Sequence, residues 1–243
     1  MSQLRRALAI SYKDTESYYS KPPLVTWGIL FPAVLLLSVY VKDPSTYLAI
    51  APGIIGMTLL FGNTSMAAIV VTFEKRAGTF QRLLLAPLST RTIILGKALS
   101  ASAYGIATAL ALSLGLKLAL GMPIVDPLIF LAGLILGAGC FSLLGLTAAV
   151  MVREVFEAMT LMNFFRFQIL FISGVFMPLA QLPAWLKPLA LASPLTYVVD
   201  LLHLGVTGRS EFVSPVIPLL ASLLFLLASW LLAEAMFRSR ASR

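Results

Sequence analysis

Charge is scarce in this chain. Asp, Glu, Lys and Arg make up 12% of its 243 residues, while hydrophobic residues make up 59%. Soluble domains carry about a quarter charged residues, so a mean hydropathy of +0.95 excludes the soluble class and leaves a polytopic membrane protein. The single cysteine, Cys140, excludes an intrachain disulfide. The single histidine, His203, forms D-x-x-H with Asp200. Two groups are too few for a metal site, so no metal is expected and His203 reads as an interfacial residue. No G-x-x-x-x-G-K-[ST] occurs. The nearest string, Leu95-Gly96-Lys97-Ala98, lacks the first glycine and the hydroxyl residue, so no phosphate cradle is expected. No G-x-S-x-G supplies a serine for an intramembrane hydrolase. No Asp or Glu falls in mid-span and no halves repeat, which argues against an ion-driven secondary carrier. A cleavable leader is not evident either.

What is present is a set of long apolar runs. They fall at about 24–41, 48–73, 93–120, 127–152, 158–177 and 215–236. Each has the roughly 18 residues needed to cross a membrane as a helix, which predicts six spans and both termini on one side. The N-terminus, the 74–97 segment, the 153–166 segment and the C-terminus hold 14 of the 18 basic residues. Lys42, Lys117, Lys187 and Arg209 fall on the other side. The excess of Lys and Arg places both termini in the cytoplasm, and the chain is expected in the plasma (inner) membrane. The net charge of +8 then faces anionic lipid, and no nucleic acid is expected, for want of a soluble basic domain.

Residues 1–22 read as an amphipathic surface helix. Leu4, Leu8, Tyr12, Thr15 and Tyr19 recur at helical spacing, Arg5, Arg6, Lys13 and Asp14 lie mostly elsewhere on the wheel, and Lys21-Pro22-Pro23 ends it. The 178–214 stretch is broken by Pro178, Pro183, Pro188 and Pro194, which excludes one spanning helix. Two short helices over 178–200, dipping into the outer half of the membrane with Trp185 and Tyr197 at headgroup level, fit better. Ala101, Gly105, Ala109 and Ser113 form a small-residue ridge, and Gly133 with Gly137 a GxxxG. Both read as packing within one subunit, with a dimer seam as the alternative.

Between the second and third runs, Glu74-Lys75-Arg76 precedes a turn at Gly78-Thr79 and then Phe80-Gln81-Arg82-Leu83-Leu84-Leu85, which stops at Pro87. Phe80, Leu83 and Leu84 make an apolar face on a short helix outside the membrane. That face must pack on the bundle, on lipid or on another protein. The fifth run carries Asn163, Arg166 and Gln168. An arginine well inside a span costs on the order of 2 kcal/mol unless it snorkels or pairs. Either Arg166 snorkels to the inner headgroups, or Asn163 and Arg166 face a polar cavity that receives an anionic headgroup. Asn63 and Thr64 on the second run are candidates for the same path.

Glu74-Lys75-Arg76-x-Gly78-Thr79, Leu83-Leu84, Pro87 and Gly96-Lys97 resemble the signature between the second and third spans of ATP-binding-cassette (ABC) type 2 exporter permeases. Ser173-Gly174-Val175-Phe176-Met177-Pro178, Gln181-Leu182-Pro183 and Ser193-Pro194-Leu195-Thr196-Tyr197 resemble the same family's segment after the fifth span. The match is most similar to the drug-resistance and nodulation-factor export branch, and departs from it at Gln81, where the family often has an acidic residue. The resemblance implies an all-α permease in one domain over 1–243. Within 74–92, the stretch 74–87 is implied to be a coupling helix. Phe80, Leu83 and Leu84 would pack in a groove of a separate ATPase, with Glu74, Arg76, Gly78, Thr79, Arg82 and Pro87 completing the contact. An outer re-entrant pair would contain Gly174, Phe176, Pro178, Leu182, Pro183, Pro194 and Tyr197. Two ATPase subunits would bind ATP and Mg, none of it on this chain. A second permease, identical or paralogous, would complete a dimer for efflux of a drug, lipid or lipid-linked glycan.

Overall fold

The structure, a computed structural model, describes residues 3–19, 22–44 and 46–241, without the side chains of residues 19, 22–28, 84, 240 and 241. Lys21, the expected end of the surface helix, and Arg243 lie outside the described residues. Helix accounts for 83% of the chain, with no strand among the described residues, as the long apolar runs require.

The chain opens with α1 (Gln3–Asp14), which continues into a wider π-helical turn over Thr15–Tyr19. Then follow α2 (Pro22–Lys42), α3 (Tyr47–Arg76), α4 (Thr79–Leu85), α5 (Thr90–Leu120), α6 (Pro127–Met151) and α7 (Val155–Ile172). A 3-10 turn at Leu179–Gln181 leads to α8 (Lys187–Leu191), α9 (Pro194–Thr207) and α10 (Val216–Ala241). Local chemistry sets several of these limits. Ser89 accepts from the Thr92 amide at the start of α5, and Asp126 accepts from the Leu128 and Ile129 amides at the start of α6. Gly121, at φ 68°, closes α5.

Helices α3, α5, α6, α7 and α10 are long and apolar enough to cross a membrane; the fully described part of α2, Ile29–Lys42, is a shorter apolar helix. The expected fifth span is cut short. It ends at Ile172, not 177, because Ser173 and Gly174 turn the chain, Gly174 at φ 77°. Helix α3 lies at the centre, packed on α2, α5, α6, α7 and α9. Two apolar cores stack along it. One is built around Ile54, Leu59, Phe141 and Val198, the other around Val71, Ile94, Leu146 and Phe237. Apolar side chains on α2, α7 and α10 point outward, including Val34, Phe164, Phe171 and Leu224, as lipid-facing surfaces do.

The small-residue contacts are internal to the chain. A Cβ on Gly137 would sit 2.8 Å from Val198, and one on Gly133 would sit 3.1 Å from Leu201, so this GxxxG receives α9. The segment expected to re-enter the membrane as two short helices is longer and more central. α9 runs to Thr207 and buries Leu195, Val198 and Leu202 against α3 and α6. Tyr197 is buried, not displayed at a headgroup level. Its ring stacks on Phe212 at 5.3 Å, and its hydroxyl donates to the Leu191 carbonyl at 2.8 Å. Trp185 is exposed.

Candidate functional site

The residues Glu74, Lys75 and Arg76 end α3, and each helical step turns the side chain by about 100°. They therefore go three different ways. The Lys75 ammonium donates to the carbonyls of Ala149, Val150 and Val152 at 2.6, 3.2 and 3.0 Å. These are unpaired acceptors at the end of α6, where a cation is favoured. Arg76 is exposed. Glu74 is 1% exposed and turned inward, which removes it from the expected contact with an ATPase.

Helix α4 follows a turn that only glycine makes without strain. Gly78 has φ 69°, and the Thr79 hydroxyl donates back to the Glu74 carbonyl at 3.3 Å. Phe80 is buried, with its ring 6.1 Å from that of Phe237 on α10. Leu83 packs on the same core. The apolar face expected to dock on another protein thus closes onto the chain's own bundle, because Phe237 and the end of α3 offer it a nearer partner. The side chain of Leu84 lies outside the described residues. What α4 exposes is Thr79, Gln81, Arg82, Leu85 and, just beyond it, Pro87. Leu85 is 87% exposed. Sequence reading passed over it, although it lies five residues after Phe80, about 140° around the wheel, and so must face away from the bundle.

The stretch after α4 is tied to α1. The Arg6 guanidinium donates to the Pro87 carbonyl at 2.7 Å, and the Thr92 hydroxyl donates to Gln3 Oε1 at 2.6 Å. Deeper in, Lys97 Nζ lies 2.6 Å from Glu74 Oε2 and 3.1 Å from Asp14 Oδ2. Lys13 reaches Asp14 Oδ1 at 2.9 Å and also pairs with Glu74. Two acids and two bases neutralise each other, and Lys97, Asp14 and Glu74 are essentially fully buried. Burial pushes the Lys13 ammonium down. Hydrogen bonds to Glu74 and Asp14, with their charges, outweigh this and hold its pKa above the ordinary lysine value. Gly96 lets the cluster form, since a Cβ there would stand 2.8 Å from the Ala7 carbonyl oxygen. Ala7, Ile10 and Asp14 therefore face α5, while Leu4, Leu8 and Tyr12 point away from the bundle.

The second feature is a cavity of about 590 Å³ between α3, α6, α7 and α10, lined by Thr64, Leu144, Met162, Ala228, Leu232 and Arg166 among others. Arg166 is 3% exposed, so it does not snorkel. Its guanidinium carbon is 5.1 Å from the Phe61 ring centroid, and Nε and Nη2 have no hydrogen-bond partner among the described residues. Of the other candidates for a substrate path, only Thr64 joins Arg166 here. Asn163 and Gln168 are exposed on other faces of α7. Asn63 is wedged between α3 and α5, where a Cβ on Gly105 would fall 1.9 Å from its Oδ1. The cavity wall is also largely apolar, not the polar one anticipated.

The remaining residues of the segment after α7 frame the opposite end of the bundle. Gly174 supplies the turn, Phe176 lies 5.6 Å from Phe171 ring to ring, and Leu182 is buried. Pro178 and Pro183 are exposed around the 3-10 turn, and Pro194 begins α9. Asp200 accepts from the Ser210 hydroxyl and the Glu211 amide, both at 2.7 Å, and His203 Nδ1 lies 3.0 Å from the Arg209 carbonyl. Each is bound to the following loop. No group of three or more His, Cys, Asp or Glu among the described residues is placed to hold a metal.

A family model described as ABC-2 type transporter matches residues 5–206. Curated proteins give no match.

Proposed function

Because the chain belongs to the ABC-2 type transporter family and is the membrane permease of an ABC transporter, not its catalytic part, we propose that it exports an amphiphilic substrate with a separate ATPase docked on α4. One observation carries this reading. α4 is a seven-residue helix outside the spans, fixed to the bundle by Phe80 and presenting Arg82 and Leu85 outward. An exposed leucine beside an arginine suits a groove with an apolar floor and an acidic rim.

In this reading ATP and Mg bind the ATPase subunits, two per assembly. A second permease, identical or paralogous, completes the path across the inner membrane, with both termini cytoplasmic. Closure of the ATPases pushes on α4. Phe80 against Phe237, Glu74 in the ion cluster and Arg6 on Pro87 make α4 move with α1, α3, α5 and α10 as one body.

The test is affinity purification from the native membrane in mild detergent. An ATPase is expected to co-elute, and Leu85→Asp is expected to lower its retention at least about tenfold, as loss of an interface anchor does. Leu83→Asp is a poor probe, since Leu83 packs internally. Elution without an ATPase across several detergents, or full retention by Leu85→Asp, refutes the docking face.

A further inference from the structure

We propose that the Arg166 cavity is a binding site for an amphiphile that carries one compact oxyanion, a carboxylate or a phosphate, on an apolar chain. Only the naming of this ligand as cargo rests on the export reading; the binding itself requires this chain alone.

Arg166 lies about 16 Å along α7 from Val155 at 1.5 Å per residue. It is buried where α7 faces α3, α6 and α10. A guanidinium stays charged in such surroundings and offers a planar fork of donors. Nε and Nη2, two of the three nitrogens in that fork, are unmatched among the described residues. The Phe61 ring supplies a cation–π contact on the guanidinium face, which does not satisfy the in-plane donors.

The cavity itself provides no counter-charge. No Asp or Glu is among its lining residues. Its hydroxyls are engaged elsewhere: Thr64 donates to the Leu60 carbonyl, Thr147 donates to the Leu143 carbonyl, and Ser229 meets Cys140 Sγ. An isolated buried cation is strongly disfavoured, so the balancing charge is best supplied by a ligand. A carboxylate or phosphate matches two adjacent guanidinium donors in a bidentate pair. The rest of the volume is walled by side chains such as Leu144, Met162 and Leu232, which solvate a hydrocarbon chain and not a sugar or a second charge. The volume of about 590 Å³ falls within the roughly 300–1,000 Å³ of small-molecule sites.

The test titrates the purified chain, with any co-eluting subunit retained, in neutral detergent against sodium dodecanoate and, separately, dodecanol. Occupancy is counted by native mass spectrometry. One dodecanoate per chain is expected. Arg166→Gln is expected to weaken it at least about tenfold, the effect of losing charge-assisted hydrogen bonds, and to leave dodecanol unaffected. Ala228→Phe narrows the cavity from an exposed position on its wall and is expected to weaken both. Dodecanol binding as tightly as dodecanoate, or unchanged dodecanoate binding by Arg166→Gln, overturns the proposal. Displacement of dodecanoate by phosphatidylglycerol assigns the site to a membrane phospholipid, and failure to displace it assigns a free amphiphile. Dodecanoate binding by a chain that retains no ATPase would leave the site standing and the export reading refuted; the converse result separates them the other way.

Discussion

Two cations are buried among the described residues, and they are treated oppositely. Lys97 is 1% exposed and touches Glu74 and Asp14, each of which also touches Lys13. Arg166 is 3% exposed, and no acid is placed against it by the cavity walls. The first arrangement comes from three separate parts of the chain meeting at one point, which only a fixed packing of α1, α3 and α5 can maintain. The second leaves two donors, Nε and Nη2, buried without a partner among the described residues. A closed charge cluster holds helices together, whereas an open one keeps interaction energy in reserve for something that arrives.

That contrast breaks most directly at Lys97. Lys97→Met removes one base from a balanced set and leaves Asp14 and Glu74 buried with only Lys13 between them. Breaking a buried pair from one side costs about 3–5 kcal/mol, so a large drop in thermal midpoint is expected, together with new protease cleavage in α1 as it comes away from α5. A midpoint unchanged from the parent protein would mean that the cluster contributes nothing to the joint.

Arg166→Met is the mirror experiment, with a smaller effect of opposite sign. A charge at a helix centre in apolar surroundings costs about 2.5–3.5 kcal/mol on insertion scales. Its removal is therefore expected to leave stability unchanged or raise it by up to roughly 3 kcal/mol, measured by thermal unfolding in the absence of added amphiphile. Strong destabilisation would show that Arg166 has a partner within the folded chain, and the two cations would then be alike.

Much of this was legible in the sequence, and what escaped was mostly pairing. Run length and hydropathy gave the helices and the turn at Gly78, because both are local properties. The signature residues read in sequence as contacts with another protein, and Glu74, Lys75 and Phe80 serve internal contacts. Glu74 reads as a surface acid beside two bases until Lys97 and Asp14, 23 and 60 positions away in sequence, are seen to converge on it. Gly96 and Lys97 stand side by side because one admits α1 and the other binds it. Periodicity puts Phe80, Leu83 and Leu84 on one apolar face, and Phe80 and Leu83 share a core, but periodicity cannot say what covers a face. Asn63, Asn163 and Gln168 share polarity with Arg166 and little else. Polarity is visible in a sequence, and direction around a packed helix is not.

The finest test titrates the one member of the closed cluster that reaches water. Lys13 has a half-exposed side chain, so solvent screens its pairs and the effect is small. Its pKa in the folded chain stands above the ordinary value. A base with a raised folded pKa stabilises fully below its unfolded pKa, about 10.4 for lysine, and loses that contribution as pH rises through the folded value. Lys13→Met is therefore expected to melt below the parent protein at neutral pH, and the gap is expected to close on the alkaline side of about pH 10.4. A Lys13 gap that stays constant or widens with pH would mean that the ammonium does not bind Glu74 and Asp14 in the folded protein, and the neutral balance of the cluster would have to be drawn from Lys97 alone.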